Sequence, residues 1–204
     1  HHRDDVFETI LLRLFRGTGV DGFSGLNEKR SLGKGEIIRP FLNLSKSDLE
    51  IFVHKNDLPF VEDDTNLNND FDRNFLRNEI IPSLEKRWSK LPERAALTSL
   101  TAKKKKLSLD FMLEKNFKKE ISTGIIERAK FIETPSFLIE ELIRLILRKK
   151  GIALPSQKVL SEIMNVFFHK KPSNESYVEW SRKDGEQIGG KVFSEHNDII
   201  LKKK

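Results

Sequence analysis

Cysteine is absent from the 204 residues. That excludes disulfides, thiol catalysis and all-cysteine metal sites, and makes an intracellular, cytoplasmic address the simplest expectation. No apolar run approaches the roughly 18 residues that a membrane-crossing helix needs. The opening His1-His2-Arg3-Asp4-Asp5 has no apolar stretch after a basic start, so it is not a secretory signal. The first residue is not Met, so the chain is expected to be processed, tagged or partial. Tyr occurs once and Trp twice against fifteen Phe. Phe packs without a polar partner, so the aromatic content is expected mainly in the core. Apolar residues make up 37% and charged residues 33%, respectively below and above the usual share, and a modest core follows.

What is abundant is charge, unevenly spread. The net charge is +6, a weak argument for nucleic acid by itself. Residues 57–70 carry Asp57, Glu62, Asp63, Asp64 and Asp70 with no base. Residues 85–106 carry Lys86, Arg87, Lys90, Arg94 and Lys103 to Lys106 against Glu85 and Glu93. Such a stretch suits phosphate contacts, and equally suits a solvated helix face.

Phe7, Leu11 and Leu14 predict a helix over 3–16, broken by Gly17, Gly19, Gly22 and Gly25. That glycine-rich loop lacks the spacing of a Walker or Rossmann loop and reads as a flexible surface loop or a set of backbone donors. Residues 36–40 predict a short strand. Ser45 and Asp48 form a capping box for a helix whose buried face would be Leu49, Phe52 and Val53. Leu76, Ile80, Leu84 and Trp88 predict a helix that Pro82 should kink or split. Residues 1–72 are α/β in texture, and 73–169 are expected to be helical. In that stretch Leu97, Leu100, Leu107 and Phe111 mark one face, Thr134-Pro135 a helix start, and Ser156 a cap before Leu160, Ile163 and Phe167. After Pro172 short strands are expected at 177–180, 188–193 and 199–201, with turns at Asp184-Gly185 and at His196-Asn197-Asp198.

The chemistry concentrates at the start. On a helix His2, Asp5 and Glu8 fall near one face, with His1 four residues before Asp5. Such a set could bind a metal, hold an ammonium group or move protons. Acids at a helix start also simply stabilise the first turn. Arg73 and Arg77, four apart, could order the acidic loop or hold phosphates.

The run His1-His2-Arg3-Asp4-Asp5-Val6-Phe7-Glu8-Thr9, with Leu12, Arg16-Gly17-Thr18-Gly19 and Gly22, closely resembles the signature of the tRNA(Ile)-lysidine synthases, ATP-dependent RNA-modifying enzymes of the PP-loop class. Ile38-Arg39-Pro40-Phe41-Leu42, Glu62-Asp63-Asp64-Thr65-Asn66 and Asp72-Arg73-Asn74-Phe75-Leu76-Arg77 resemble further family segments in the same order. The resemblance covers essentially the whole chain, although the later part rests on pattern more than on motif.

It implies the C-terminal part of a Rossmann-like PP-loop ATPase domain over 1–88. A mainly α domain with a small terminal β meander, for tRNA recognition, would occupy 89–204. The implied reaction adenylates C2 of the wobble cytidine of tRNA(Ile) bearing a CAU anticodon, and the amine of free lysine then displaces AMP. The implied cofactor is ATP, with Mg2+ in the complete enzyme, and a homodimer is compatible with it. Carried over, Asp5 and Glu8 would recognise lysine and activate its amine, and His2 and Asp4 would support them. Arg39 would contact the nucleotide. Arg73, Arg77, Lys86, Arg87, Arg94, Lys103 and Lys104 would face the substrates.

Two departures qualify the resemblance. Val6 stands where the family usually has Gln. The family's Ser-Gly-Gly-x-Asp-Ser phosphate loop lies upstream of this motif and is not within the 204 residues, so this chain alone is not expected to adenylate anything. A non-catalytic tRNA-binding subunit, or another PP-loop enzyme such as a tRNA thiolase, is the alternative. Thiolation commonly uses cysteine, which this chain lacks.

Overall fold

A computed structural model describes residues 1–32, 35–61, 65, 68–173, 175–181 and 188–204. Glu62, Asp63, Asp64 and Asn66 of the acidic segment, and the Asp184-Gly185 turn, lie outside the described residues. The chain divides into two compact units, His1–Leu107 and Ser108–Lys204.

The first unit opens with helix α1 (Arg3–Phe15). Its N-terminus is closed by Asp5, whose Oδ2 accepts the His2 backbone N–H at 2.9 Å. Gly17, at φ +72°, follows its last turn. Val6 and Ile10 bury one face against Leu42, with Phe23, Leu26 and Ala95 packed around them. A 3-10 turn (Val20–Ser24) leads to an antiparallel hairpin of β1 (Lys29–Leu32) and β2 (Gly35–Ile38), with Lys29 opposite Ile38. Helix α2 (Lys46–Lys55) starts at the expected capping box: Ser45 Oγ accepts from the Asp48 N–H, and Asp48 Oδ2 accepts from the Ser45 N–H, both at 3.0 Å. The Ser45 hydroxyl also donates to Asp48 Oδ2, at 2.5 Å, and this bond, together with the one from the Ser45 N–H, holds the Asp48 carboxyl below its ordinary pKa.

The expected buried face of α2 is not buried. Leu49 and Val53 are half-covered and Phe52 is exposed. Periodicity says which residues could be covered together; it does not supply the covering element.

A helical run follows in three pieces: α3 (Asp72–Phe75), one π turn (Leu76–Ile80) and α4 (Ile81–Glu85). The widened turn comes immediately before Pro82, whose missing N–H removes an ordinary helical bond, so the proline splits the run as expected. Long helix α5 (Leu91–Asn116) comes next. Its apolar stripe is likewise exposed: Leu97, Leu100, Leu107 and Phe111 are all open to solvent. The covered face carries Ser99 and Ala102 instead. Small residues let backbones approach, and Gly25 shows how closely: a Cβ there would lie 2.6 Å from Ser99 Oγ. Gly25 also holds φ +63°, so two separate constraints demand glycine.

The second unit contains α6 (Lys118–Thr123), β3 (Ile125–Glu127), a 3-10 turn (Arg128–Phe131), α7 (Ser136–Lys149) and α8 (Gln157–Met164). A π turn (Asn165–His169) then leads to β4 (Tyr177–Trp180), β5 (Gly190–Glu195) and β6 (Asp198–Lys203). The sheet is antiparallel in the order β3-β6-β5-β4. Strand β3 interrupts the stretch expected to be wholly helical, and α7 begins one residue later than expected, with Pro135 preceding it. Ser156 caps α8, its Oγ accepting from the Val159 N–H. Leu142, Ile143, Ile146, Leu147, Leu160, Ile163 and Phe167 are fully buried. Each apolar side chain so covered contributes about 1.5–3 kcal/mol. Strands β5 and β6 turn at His196 and Asn197, both at positive φ, the conformation that a two-residue hairpin needs.

The aromatic expectation needs correction. Phe7, Phe131 and Phe167 are core residues, but Phe15, Phe71, Phe111 and Phe137 are more than half exposed.

The architecture is α/β in the coarse sense: helices with two small sheets. No described helix is long and apolar enough to cross a membrane.

Candidate active site

Helix α1 carries Asp5 and Glu8 one turn apart, and the run beginning at Asp72 carries Arg73 and Arg77 four apart. The structure brings all four together. Arg73 donates from Nη2 to Asp5 Oδ1 at 2.8 Å and from Nε to Glu8 Oε2 at 2.7 Å. Arg77 donates from Nε to Glu8 Oε1 at 2.7 Å and from Nη2 to Glu8 Oε2 at 2.9 Å; the same Nη2 lies 3.3 Å from Asp5 Oδ1. The fork geometry of guanidinium matches carboxylate, which makes these bonds directional as well as charged. The Glu8 side chain is 2% exposed and that of Asp5 11%, so Asp5 is the less enclosed of the two. The hydrogen bonds that Arg77 donates to Glu8 raise its pKa above the ordinary value. The π turn holds Arg77 within the helical run.

His2 stands beside this knot. Its Nε2 is 3.5 Å from Asp5 Oδ2. Its Nδ1 is buried 3.2 Å from Asp4 Oδ2 without hydrogen-bond alignment. Asp4 faces elsewhere: its Oδ2 accepts the Lys46 N–H at 2.8 Å, tying the start of α2 to α1. Arg39 is buried, donating from Nη1 to the Asn27 carbonyl at 3.0 Å and from Nε to His1 Nδ1 at 3.3 Å. It thereby fixes the residue that opens the signature. Lys86 and Arg87 follow α4, while Arg94, Lys103 and Lys104 stand on α5. These five are on elements other than those that bear the acid–arginine cluster.

Arg13 had no role assigned from the sequence. Its Nη1 donates to the carbonyls of Gly22 and Gly25, both at 2.9 Å, so the glycine-rich loop is gripped through its carbonyls. Burial pushes the Arg13 guanidinium below its ordinary pKa. The only forewarning was a base shortly before several glycines, a pattern without specificity. Asn74, inside one of the resembling segments, was also missed as a loop clasp; its Nδ2 donates to the carbonyls of Thr65 and Asn68, both at 2.8 Å.

Two buried carboxylates on one helix face, met by two more exposed arginines, form a charge-compensated cluster in which acids and bases are held at fixed positions. A family model described as the PP-loop domain matches residues 1–84. Over most of its length the chain is similar to proteins named tRNA(Ile)-lysidine synthase. It is 35% identical to that of Coxiella burnetii (strain RSA 493 / Nine Mile phase I), over 98% of this chain and 46% of the relative. It is 30% identical to that of Legionella pneumophila (strain Lens), over 96% and 44% respectively. It is 36% identical to that of Buchnera aphidicola subsp. Schizaphis graminum (strain Sg), over 87% and 40%. The chain spans a little under half the length of these relatives.

Proposed function

We propose that this chain is part of an ATP-dependent ligase that joins lysine to C2 of the wobble cytidine of tRNA(Ile) with a CAU anticodon. Residues 1–88 then belong to a Rossmann-like PP-loop ATPase domain and 89–204 to a tRNA-recognition domain. The observation that carries the reading is the meeting of Asp5, Glu8, Arg73 and Arg77 within the PP-loop segment of a chain related to lysidine synthases.

The roles follow from exposure and bonding. Arg73 and Arg77 hold the two carboxylates in place through charged, directional hydrogen bonds. Glu8, enclosed and accepting three N–H bonds, anchors the two guanidinium groups. Asp5 offers its less enclosed carboxylate to the lysine ammonium, and the amine must lose a proton before it can attack. His2, beside Asp5 Oδ2, is placed to take that proton onward. As the amine nitrogen forms its bond to C2, the C2–O bond to AMP breaks and AMP departs with the oxygen. Asp4 positions α2, and Arg39 positions His1 as well as being the candidate nucleotide contact. Lys86, Arg87, Arg94, Lys103 and Lys104 offer charge to tRNA phosphates.

ATP supplies the adenylyl group. Arg39 retains one guanidinium nitrogen beyond its two engaged ones, which suits a single phosphate contact and not a triphosphate cradle. Among the described residues no group of three or more His, Asp or Glu is placed to hold a metal ion; Mg2+ would come with ATP, held by its phosphates and at most one or two carboxylates. No step is assigned to it.

The test is incorporation of labelled lysine into tRNA(Ile) by the intact protein. Asp5→Ala and Glu8→Ala should each abolish incorporation while tRNA binding persists. Unchanged incorporation in both variants would sink the assignment.

A further inference from the structure

The sheet of the second unit has an outer face that the core does not use. Along β4 the burial alternates, with Val178 and Trp180 inward and Tyr177 and Glu179 outward. Tyr177 lies opposite Phe193 on β5, and Lys191 lies opposite Lys202 on β6. Lys191 Nζ sits 4.4 Å from the centre of the Tyr177 ring, and Lys202 Nζ sits 4.5 Å from the centre of the Phe193 ring. All four side chains, with Glu175 and Ser176, line one shallow cleft of about 240 Å3. Tyr177 is 58% exposed. Among the described residues neither ammonium has a carboxylate partner, whereas neighbouring Lys204 is paired with Glu179 at 3.0 Å.

We infer that this face is a stacking platform for an unpaired nucleotide of RNA, in which the base lies on Tyr177 and Phe193 while Lys191 and Lys202 meet its flanking phosphates. The inference rests on the reading of tRNA as substrate. A cation over an exposed ring is a weaker contact than a nucleobase stacked on it, so a base displaces the ammonium groups. Each lysine stem is long enough to swing its charge from ring to phosphate. Two rings and two unpaired cations in one cleft match the two chemical features of single-stranded RNA, a π-face and a regular negative charge. An acidic peptide would satisfy only the cations. Duplex RNA keeps its bases stacked on one another and offers the rings nothing.

The experiment is equilibrium binding of the intact protein to an unstructured oligoribonucleotide and to a blunt RNA duplex, without ATP or lysine. Tyr177→Ala should weaken single-strand binding roughly tenfold and leave duplex binding unchanged. Tyr177→Phe, which keeps the ring, should retain the affinity. Lys191→Ala with Lys202→Ala should lower the magnitude of the salt slope by about 1.4. Equal binding by wild type and Tyr177→Ala, or equal losses on single strand and duplex, would overturn the platform. Failure here is separable from failure of the active-site reading. Asp5→Ala should remove lysine transfer with Tyr177-dependent RNA binding intact, whereas Tyr177→Ala should raise KM for tRNA with kcat intact.

Discussion

Replacing Glu8 with alanine tests the acid–arginine cluster as a physical object, before any chemistry is asked of it. Glu8 is 2% exposed and accepts from Arg73 Nε and Arg77 Nε, both at 2.7 Å, and from Arg77 Nη2 at 2.9 Å. Removing one partner of a buried ion pair costs about 3–5 kcal/mol, because the remaining charge is left desolvated. Here the penalty is smaller. The Arg73 and Arg77 side chains are 38% and 30% exposed and keep Asp5 as a partner, so water and one carboxylate recover part of it. The discounted cost is about 1.5–3 kcal/mol. With a urea m-value of roughly 1 kcal/mol/M for a unit of this size, the midpoint should fall by about 1.5–3 M. Urea unfolding followed by circular dichroism reads this, with Glu93→Ala as control. Glu93 is paired with Arg3 at 2.9 Å but is itself 43% exposed, so its loss should cost well under about 1 kcal/mol. If Glu8→Ala is no more destabilising than Glu93→Ala, the reasoning about the cluster is refuted.

Three further outcomes are expected. Arg13→Met removes both bonds to the Gly22 and Gly25 carbonyls, and should speed amide exchange and proteolysis across 17–25; unchanged protection would show that the loop holds itself. Ser45→Ala removes the cap of α2 and should cost about 1 kcal/mol in thermal or urea unfolding, whereas Ser47→Ala, which removes only the bond between the Ser45 and Ser47 hydroxyls, should cost less. Glu127 is held down to about 2 by hydrogen bonds from Lys119 and Lys130. A folded-state pKa below the unfolded one contributes stability that is present above the ordinary carboxyl value and is lost as pH falls through the folded value. Stability of the second unit should therefore decline between about pH 5 and pH 2, and Glu127→Gln should flatten that decline; an unaltered acid limb would contradict the pairing.

Much of this arrangement was legible in the residues because it is local. The Ser45 capping box, the three-residue spacing of Asp5 and Glu8, the four-residue spacing of Arg73 and Arg77, and the core stripe of α8 and the π turn after it, through Leu160, Ile163 and Phe167, each depend on neighbours in sequence. What was not legible depends on distant partners. Strand β3 is three residues that become a strand only because β6 offers an edge, with Ile126 opposite Ile199. The exposed Leu97, Leu107 and Phe111 read as a core face, but the helix is covered along its small-residue side, where Ser99 meets Gly25. The sequence left open whether the two arginines serve the acidic loop or phosphates, and did not suggest α1 as their partner. The choice of Asp5 and Glu8 is a tertiary contact across some 65–72 residues, and no local pattern encodes it.

The central claim is that Asp5 serves the lysine amine and not the activation of RNA. A single-turnover reaction of the intact protein with ATP, labelled lysine and tRNA(Ile) separates the two steps. In Asp5→Asn, the account predicts that adenylated tRNA forms and accumulates without lysine transfer. Lysine transfer at the wild-type rate, or loss of the adenylate itself, would contradict it.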